Sequence, residues 1–183
     1  MFRRRSVPPL MALALGPLVL LGLPHAAAAA LSVEGAPQIP LRSGAPVTVV
    51  MHPDYDLRSG LRKLPNILDE GPKVRLSIER VKAPGGATIR VFANLPTATA
   101  DTPTSDFHYV GDMTSFEDPA PGSPGDDFLL DASRAFKRLK KGDRLLLGDN
   151  VSVTLVLAPG STGADVAIPV ERIVLSLESP PAK

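Results

Sequence analysis

Short runs of alternating apolar and polar residues recur along the chain from Leu31 onward, and prolines and glycines separate them. A period of two is typical of strands that bury one face in an antiparallel sheet. The clearest run has Val74, Leu76 and Ile78 on one face and polar residues on the other. A first strand is predicted earlier, at Val47–Met51.

A Pro-Gly-Gly turn at residues 84–86 joins the run that begins at residue 73 to a second alternating run at residues 89–94. We expect these two runs to pair as a hairpin. Residues 95–105 are polar and without a period, which indicates an exposed loop. The next strand is predicted at residues 107–116, where a glycine at position 111 marks a bulge or a close backbone approach.

A proline- and glycine-rich loop is predicted at residues 117–126, followed by a short strand at residues 128–130. A short helix is expected over residues 132–139, with Asp131 or Ser133 as its cap and a glycine and an aspartate at its end.

The last third of the chain alternates most regularly, and strands are predicted at residues 151–157, 166–170 and 173–177. Seven or eight strands with one short helix predict an all-β fold. We expect an antiparallel β-sandwich or open barrel, Ig-like or jelly-roll-like. The final residues, 179–183, are expected to be frayed.

The first 30 residues have the layout of a secretory signal peptide. Three arginines at positions 3–5 precede an apolar stretch at residues 10–23, and an alanine run at residues 26–30 offers a cleavage site. A membrane anchor is the alternative, but about 14 apolar residues interrupted by glycine and proline fall short of the ~20 that span a bilayer. The arginines also fit a twin-arginine signal.

The prediction is therefore an exported protein, periplasmic or extracellular, without a stable membrane anchor after cleavage. Residues 31–72 would form an N-terminal extension that includes the first strand, and residues 73–178 the sandwich proper.

Charge and cysteine content narrow the classes of function. Lysines and arginines number 20 against 19 acidic residues, and loss of the three arginines of the leader leaves 17. No basic field remains to attract nucleic acid. The chain has no cysteine, which excludes disulfides, a lipid-anchored cysteine and thiolate metal ligands.

Side chains that could carry chemistry are few. Outside the leader the only histidines are His52 and His108, and no zinc-protease, nucleophile-elbow or phosphate-loop motif is present. We therefore predict no catalytic, cofactor-binding or metal-binding residue, and a protein that is not an enzyme.

Several clusters of polar and charged residues have two possible interpretations. Residues 52–56, His-Pro-Asp-Tyr-Asp, are either a metal or acid/base cluster or a polar loop after the first strand. His108 is either a ligand or interface contact, or a solvated residue on the outward face of a strand. The aspartates at positions 126, 127 and 131 are calcium ligands or turn and capping residues. The basic residues of 137–144 are the solvated end of a helix or a docking surface.

Five segments follow one another in a characteristic order and spacing. They are Ile89-Arg90-Val91-Phe92-Ala93-Asn94, Phe107-His108-Tyr109-Val110-Gly111 through Phe116, the helix at residues 132–139, Val151-Ser152-Val153-Thr154-Leu155-Val156, and the closing strand at residues 173–177. Taken together, these segments resemble the C-terminal β-sandwich domain of tyrosinase-type polyphenol oxidases. The resemblance covers about residues 73–178, and the order and spacing of its segments are more specific than any single motif.

Two departures limit what the resemblance implies. Ile89 and Arg90 replace the aromatic residue and the acid of the family's pattern, and the copper domain that precedes this module in the family has no counterpart in the sequence. The resemblance therefore implies a module that packs over the copper-site entrance of an oxidase, not the oxidase activity itself.

The expected partner is a separately encoded tyrosinase-like copper oxidase, and no cofactor is expected in the module. The side chains predicted to form the interface are Phe107, His108, Tyr109, Met113 and Phe116, because aromatic anchors supply most of the energy at interfaces.

Two alternatives stay open. One is an exported structural or interaction domain unrelated to copper enzymes, since the sandwich fold hosts many functions. The other is a small metal-carrying protein that uses His52, His108 or the methionines Met51 and Met113.

Overall fold

The computed structural model of the protein describes residues 31–66, 71–145, 149–162 and 166–179. The predicted signal peptide and residues 180–183 of the tail lie outside the described residues. The described part contains eight strands and two short helices. In chain order they are β1 Leu31–Gly35, β2 Val47–Met51, α1 Tyr55–Arg62, β3 Lys73–Val81, β4 Thr88–Ala93, β5 Tyr109–Thr114, β6 Asp126–Asp131, α2 Ser133–Lys141, β7 Val151–Leu157 and β8 Arg172–Glu178.

The strands form two four-stranded sheets in which all neighbours are antiparallel. One sheet has the order β1-β8-β3-β6 and the other β2-β7-β4-β5. The inward residues of both sheets belong to one buried apolar cluster. The prediction of an all-β antiparallel sandwich is confirmed. β1 and β2 add one outer strand to each sheet.

Strand β7 is buried along its whole length. Its inner face lies in the main core, and its outer face is covered by the loop between β4 and β5. That loop places Ala98 against Phe92 and Val156 in a second, smaller apolar cluster. The loop predicted to be exposed therefore covers part of one sheet.

The predicted hairpin between residues 73–79 and 89–94 is wrong, because β3 and β4 lie in different sheets. Both edges of β3 are occupied by β6 and β8, and both edges of β4 by β5 and β7. The turn at residues 84–86 thus leads from one sheet to the other. The alternation identified each strand and its buried face, but it carries no information about the neighbouring strand.

Three further strand predictions are corrected. Residues 166–170 form no strand, since Ile168 only makes a single bridge to Leu41 before Pro169. β1 was not predicted, although its residues pair with β8 from Leu31 to Gly35. The third correction concerns β5, which begins two residues later than predicted because residues 107–108 lie in a turn.

The helix at residues 132–139 is confirmed as α2, in which Phe136 and Leu139 are buried and Gly142 follows the last turn. A second helix, α1, was missed. Asp54 caps it by accepting a hydrogen bond from the Leu57 N–H at 2.8 Å. The prediction of one short helix is therefore corrected to two.

Both helices cover the same end of the sandwich, which we call the helix-capped end. α1 contacts β1 and β8, and α2 contacts β3 and β5. Gly60 of α1 approaches β8 so closely that an added Cβ would lie 2.4 Å from Leu177 Cδ2. The Lys140 ammonium of α2 donates to the Leu64 carbonyl just beyond α1. The end of the sandwich at which β4 begins and β5 ends is the opposite end.

Candidate partner-binding surface

Asn94 follows β4 at the helix-capped end and adopts a left-handed backbone conformation, with φ of 55°. Its Nδ2 donates to the Arg144 carbonyl at 3.1 Å and to the Leu145 carbonyl at 2.5 Å. The side-chain Oδ1 accepts from the Ser152 N–H at 2.8 Å. A single buried amide therefore ties the end of β4 to the start of β7 and to the segment after α2.

His108 is buried, with 7% of its surface exposed. Its Nδ1 lies 2.8 Å from the Ala93 carbonyl, an acceptor, so Nδ1 carries the proton. The His108 N–H donates to Asp106 Oδ1 at 2.8 Å. The expectation of a solvated histidine on an outward strand face is wrong, because the chain turns at residues 107–108 and directs the ring towards β4.

Tyr109 begins β5, and its ring packs edge-on against Phe92 with centroids 5.7 Å apart. Burial, a hydrogen bond to the Asp112 carboxylate and the charge of that carboxylate raise the pKa of Tyr109 from 10.0 to about 12, and the charge of Arg90 opposes this rise. The phenol is therefore protonated at neutral pH and serves as a hydrogen-bond donor.

Phe107 is 37% exposed, and its ring lies over Gly142 at the end of α2, where a Cβ would meet the ring at 3.1 Å. Arg138 of α2 donates to the carbonyls of Phe107, at 3.4 Å, and of Tyr109, at 2.7 Å. The chain before β5 is therefore attached to the basic face of α2.

Met113 and Phe116 lie towards the other end of β5. Met113 belongs to the core, with 3% of its surface exposed. Phe116 is 89% exposed, which makes it the most exposed of the large hydrophobic residues described. It stands at the opposite end of the sandwich from the helices.

The loop that presents Phe116 is hydrogen-bonded on both sides of this residue. The Ser115 N–H donates to the Ala87 carbonyl at 3.0 Å, and the Gly85 N–H donates to Asp118 Oδ1 at 2.9 Å. The Ser115 hydroxyl lies 3.2 Å from Asp126 Oδ2. The backbone around Phe116 is thus fixed while its side chain points into solvent.

The five predicted interface residues are therefore divided between three environments. Phe107, His108 and Tyr109 come together at the helix-capped end, Met113 is inside the core, and Phe116 projects from the opposite end. Only Phe107 and Phe116 expose a substantial part of their rings. An interface formed by these residues stays a prediction, and its exposed anchors lie at opposite ends of β5.

The cluster at residues 52–56 does not converge. His52 Nδ1 lies 2.7 Å from Asn150 Oδ1, Asp54 caps α1, and Tyr55 is exposed. Met51 is buried in the core. Within the described ranges, no group of three or more histidine, aspartate or glutamate side chains is close enough to hold a metal ion.

The three aspartates considered as calcium ligands each accept a hydrogen bond from another residue of the protein. Asp126 accepts from the Ser115 hydroxyl, Asp127 from the Arg80 N–H at 2.9 Å, and Asp131 from the Ser133 N–H at 3.0 Å. They therefore act as hydrogen-bond acceptors within the fold. The predicted cap of α2 by Asp131 or Ser133 is wrong, because the N-cap is Ala132, which makes no side-chain capping hydrogen bond.

The pKa of Asp131 is lowered from its ordinary value. Burial acts to raise it, but hydrogen bonds from the Ser133 hydroxyl and N–H and the charges of Arg75 and Lys73 outweigh burial. The carboxylate is therefore stabilised in its charged form at the start of α2.

The exposed face of α1 was not predicted from the sequence. On this face Arg58 and Arg62 form ion pairs with Asp149. The signal was present, since Asp54 is followed three residues later by Leu57 and the arginines are one helical turn apart. In the part of the chain that the structure covers, no helix has the length and apolar character needed to cross a membrane.

The described residues thus define a two-sheet, all-β sandwich with a helix-capped end and with the exposed ring of Phe116 at the opposite end.

No protein-family model matches the chain, and no curated protein matches it. Among solved structures it is similar to latent aurone synthase, a polyphenol oxidase, from its natural source, with 17% identity and a TM-score of 0.48 over 78% of this chain. The recombinant latent enzyme gives 16% identity and a TM-score of 0.49 over 79% of this chain.

A third similar structure is the recombinant latent aurone synthase co-crystallised with hexatungstotellurate(VI), with 16% identity and a TM-score of 0.40 over 84% of this chain. This chain spans about a quarter of the length of these polyphenol oxidase chains, 25–26%. At this identity and TM-score the similarities assign no role to any residue of this protein.

Proposed function

We propose that this protein is an exported, non-catalytic module that binds a separately encoded tyrosinase-type copper oxidase and covers the entrance to its copper site. The proposal rests on the resemblance of residues 73–178 to the C-terminal domain of polyphenol oxidases. The segments that carry the resemblance correspond to β4, β5, α2, β7 and β8, in the same order.

One observation carries most weight. Asn94, at the end of the first of these segments, is buried and has a left-handed backbone conformation. Its side-chain amide forms hydrogen bonds with three backbone groups. Through both ends of its amide, Asn94 joins three of the segments that carry the resemblance: the end of β4, the start of β7 and the residues that follow α2. This supports reading the order of segments as a shared design.

The departure at Arg90 has a local explanation that leaves the proposal intact. Arg90 Nη1 donates to the carbonyls of Ala100, at 3.1 Å, and Thr102, at 3.4 Å. The arginine that replaces the acid of the family's pattern therefore holds the loop between β4 and β5 in place, and its charge is directed into the protein's own loop.

Phe116 is the side chain best placed to contact an oxidase. Its ring is free of contacts that would be lost on docking, and the hydrogen bonds of Ser115 and Gly85 hold its backbone in position. Because the backbone is already fixed, only the side chain of Phe116 would be ordered on binding, and buried aromatic anchors dominate interface energies. Glu117 and Asp118 next to it would favour a basic rim on the partner.

Co-expression tests the proposal. A tyrosinase-type oxidase from the same organism is produced with the tagged protein, and affinity capture follows from the exported fraction. We expect the oxidase to be captured by the wild-type protein and largely lost with Phe116→Ala. The matched control is Val50→Ala, an exposed apolar residue on β2, which two strands separate from β5.

Capture that survives Phe116→Ala but is lost with Phe107→Ala would place the contact at the helix-capped end and reject Phe116 as the anchor. Failure of the wild-type protein to capture the oxidase, with both partners folded, would reject the proposed function.

A further inference from the structure

The exposed face of α1 lines a depression of about 430 Å³ at the helix-capped end. Every lining residue offers a charge or a hydrogen-bonding group, and no aliphatic side chain takes part. The lining residues are Tyr55, Arg58, Ser59, Arg62, Lys63 and Asp149. We call this depression the α1 groove.

Two arginines of the groove converge on one carboxylate. Arg58 Nη1 lies 2.9 Å from Asp149 Oδ2, and Arg62 Nη2 lies 3.7 Å from Asp149 Oδ1. Asp149 and Arg62 are 67% and 62% exposed, so the arrangement is open to solvent. The groove therefore already holds a carboxylate between two guanidinium groups, and it does so at the surface.

The groove carries more positive than negative charge. Three cations line it, Arg58, Arg62 and Lys63, against the single carboxylate of Asp149. Of the acidic residues at the start of the helix, Asp54 accepts the capping hydrogen bond and Asp56 lies in the first turn. One further anionic group can therefore enter the groove beside Asp149 with a net electrostatic gain.

We propose that the α1 groove binds a short acidic segment of another protein. An aspartate or glutamate of that segment would contact Arg62 and Lys63 next to Asp149, with the hydroxyls of Tyr55 and Ser59 available to its backbone. Guanidinium groups can match a planar carboxylate with paired hydrogen bonds, and Arg58 already forms an ion pair with the Asp149 carboxylate through Nη1.

Charge and shape favour an acidic peptide over other anions. The whole chain has a formal net charge of only +1, so it lacks the extended basic field that nucleic acid requires. The exposed Tyr55 ring and the length of the eight-residue helix suit an extended peptide. The groove lies at the opposite end of the sandwich from Phe116, and this inference does not depend on the proposed oxidase partner.

Fluorescence anisotropy tests the inference on the whole protein. The probe is a fluorescein-labelled peptide with four glutamates separated by glycines, measured at low salt, about 0.05 M, where exposed charges are weakly screened. We expect Arg62→Gln to weaken binding about two- to fivefold, the range of an exposed ion pair. Asp149→Asn should strengthen it, because the built-in competitor is removed and both arginines are released.

Two controls separate the groove from general charge attraction. Asp143→Asn is the control for Asp149→Asn, because it changes the net charge by the same amount. Arg134→Gln is the control for Arg62→Gln for the same reason. Arg134 lies on α2 and Asp143 just after it, so both control positions are outside the groove. We expect neither control to change the affinity measurably. All four positions are exposed, and thermal unfolding confirms that each variant folds.

Equal effects of the control and groove variants would overturn the inference, since binding would then follow net charge alone. Equal affinity for the peptide with glutamines in place of glutamates would also overturn it. Saturable binding of inorganic phosphate, an oligonucleotide or anionic phospholipid vesicles with the same dependence on Arg62, without binding of the peptide, would assign the groove to a different ligand and reject the acidic segment.

Discussion

Asn94 and Ser152 are joined by two hydrogen bonds that run in opposite directions. The Asn94 N–H donates to the Ser152 carbonyl, and the Ser152 N–H donates to Asn94 Oδ1, each at 2.8 Å. The asparagine side chain thus supplies the acceptor at the point where β4 leaves the sheet. The pairing between β4 and β7 therefore extends one residue beyond the last strand position.

Asn94→Ala should lower the free energy of unfolding by about 3 kcal/mol, because the Ser152 N–H and two carbonyls lose their buried partner. Chemical denaturation measures the change. Asn150→Ala, which removes an exposed hydrogen bond to His52, should cost less than about 1 kcal/mol. Similar losses for both variants would show that the Asn94 amide has no special structural role.

Met113 and Phe116, three residues apart, should differ sharply in their contribution to stability. Met113→Ala empties a buried position and should cost about 2–4 kcal/mol, whereas Phe116→Ala should change stability by less than about 0.5 kcal/mol. Thermal and urea unfolding compare them. A large loss for Phe116→Ala would mean that its ring packs inside the protein and is not available to a partner.

Gly125 and Gly122 provide a matched pair with positive φ values of 97° and 80°. An added Cβ at Gly125 would lie 2.8 Å from the Val81 carbonyl oxygen, while nothing lies within 4 Å at Gly122. Gly122→Ala should cost about 1 kcal/mol for the left-handed backbone alone. Gly125→Ala should cost about 3 kcal/mol, because the backbone beside it must also move. Equal losses would contradict the close approach to Val81.

The phenol of Tyr109 should titrate at about 12 in the folded protein, from an ordinary value of 10.0. Because the folded state holds this proton more tightly, its contribution to stability is complete below pH 10 and is lost as pH rises through 12. Tyrosinate absorbance measures the titration. Asp112→Asn should lower the pKa of Tyr109 but leave it above 10, since burial is the larger cause. An unchanged pKa in this variant would contradict the hydrogen bond to Asp112.

The sandwich was predictable because its strands carry a strict period of two. β3 and β8 bury alternate residues where the pattern placed them, whereas β7 is buried on both faces. The partner of each strand was not predictable, because the alternation of β3 and β4 is the same whether they pair or face each other across the core. This is why the predicted hairpin failed.

The candidate surface was less predictable than the fold. Phe107 and Phe116 are similar in sequence context to buried aromatics, and only the turn before β5 and the hydrogen-bonded loop after it expose them. The direction of the His108 ring depends on the Ala93 carbonyl, which is 15 residues away in sequence. The α1 groove was missed because residues 52–56 were considered only as a metal or acid/base cluster or as a polar loop, although Asp54 and the leucines that follow are typical of a capped helix.

Isothermal titration of the purified protein into a purified tyrosinase-type oxidase measures whether the module binds this class of enzyme. We expect saturable binding with one module per oxidase and a markedly weaker affinity for Phe116→Ala. The absence of any heat of binding, with both proteins shown to be folded, would contradict the proposed function.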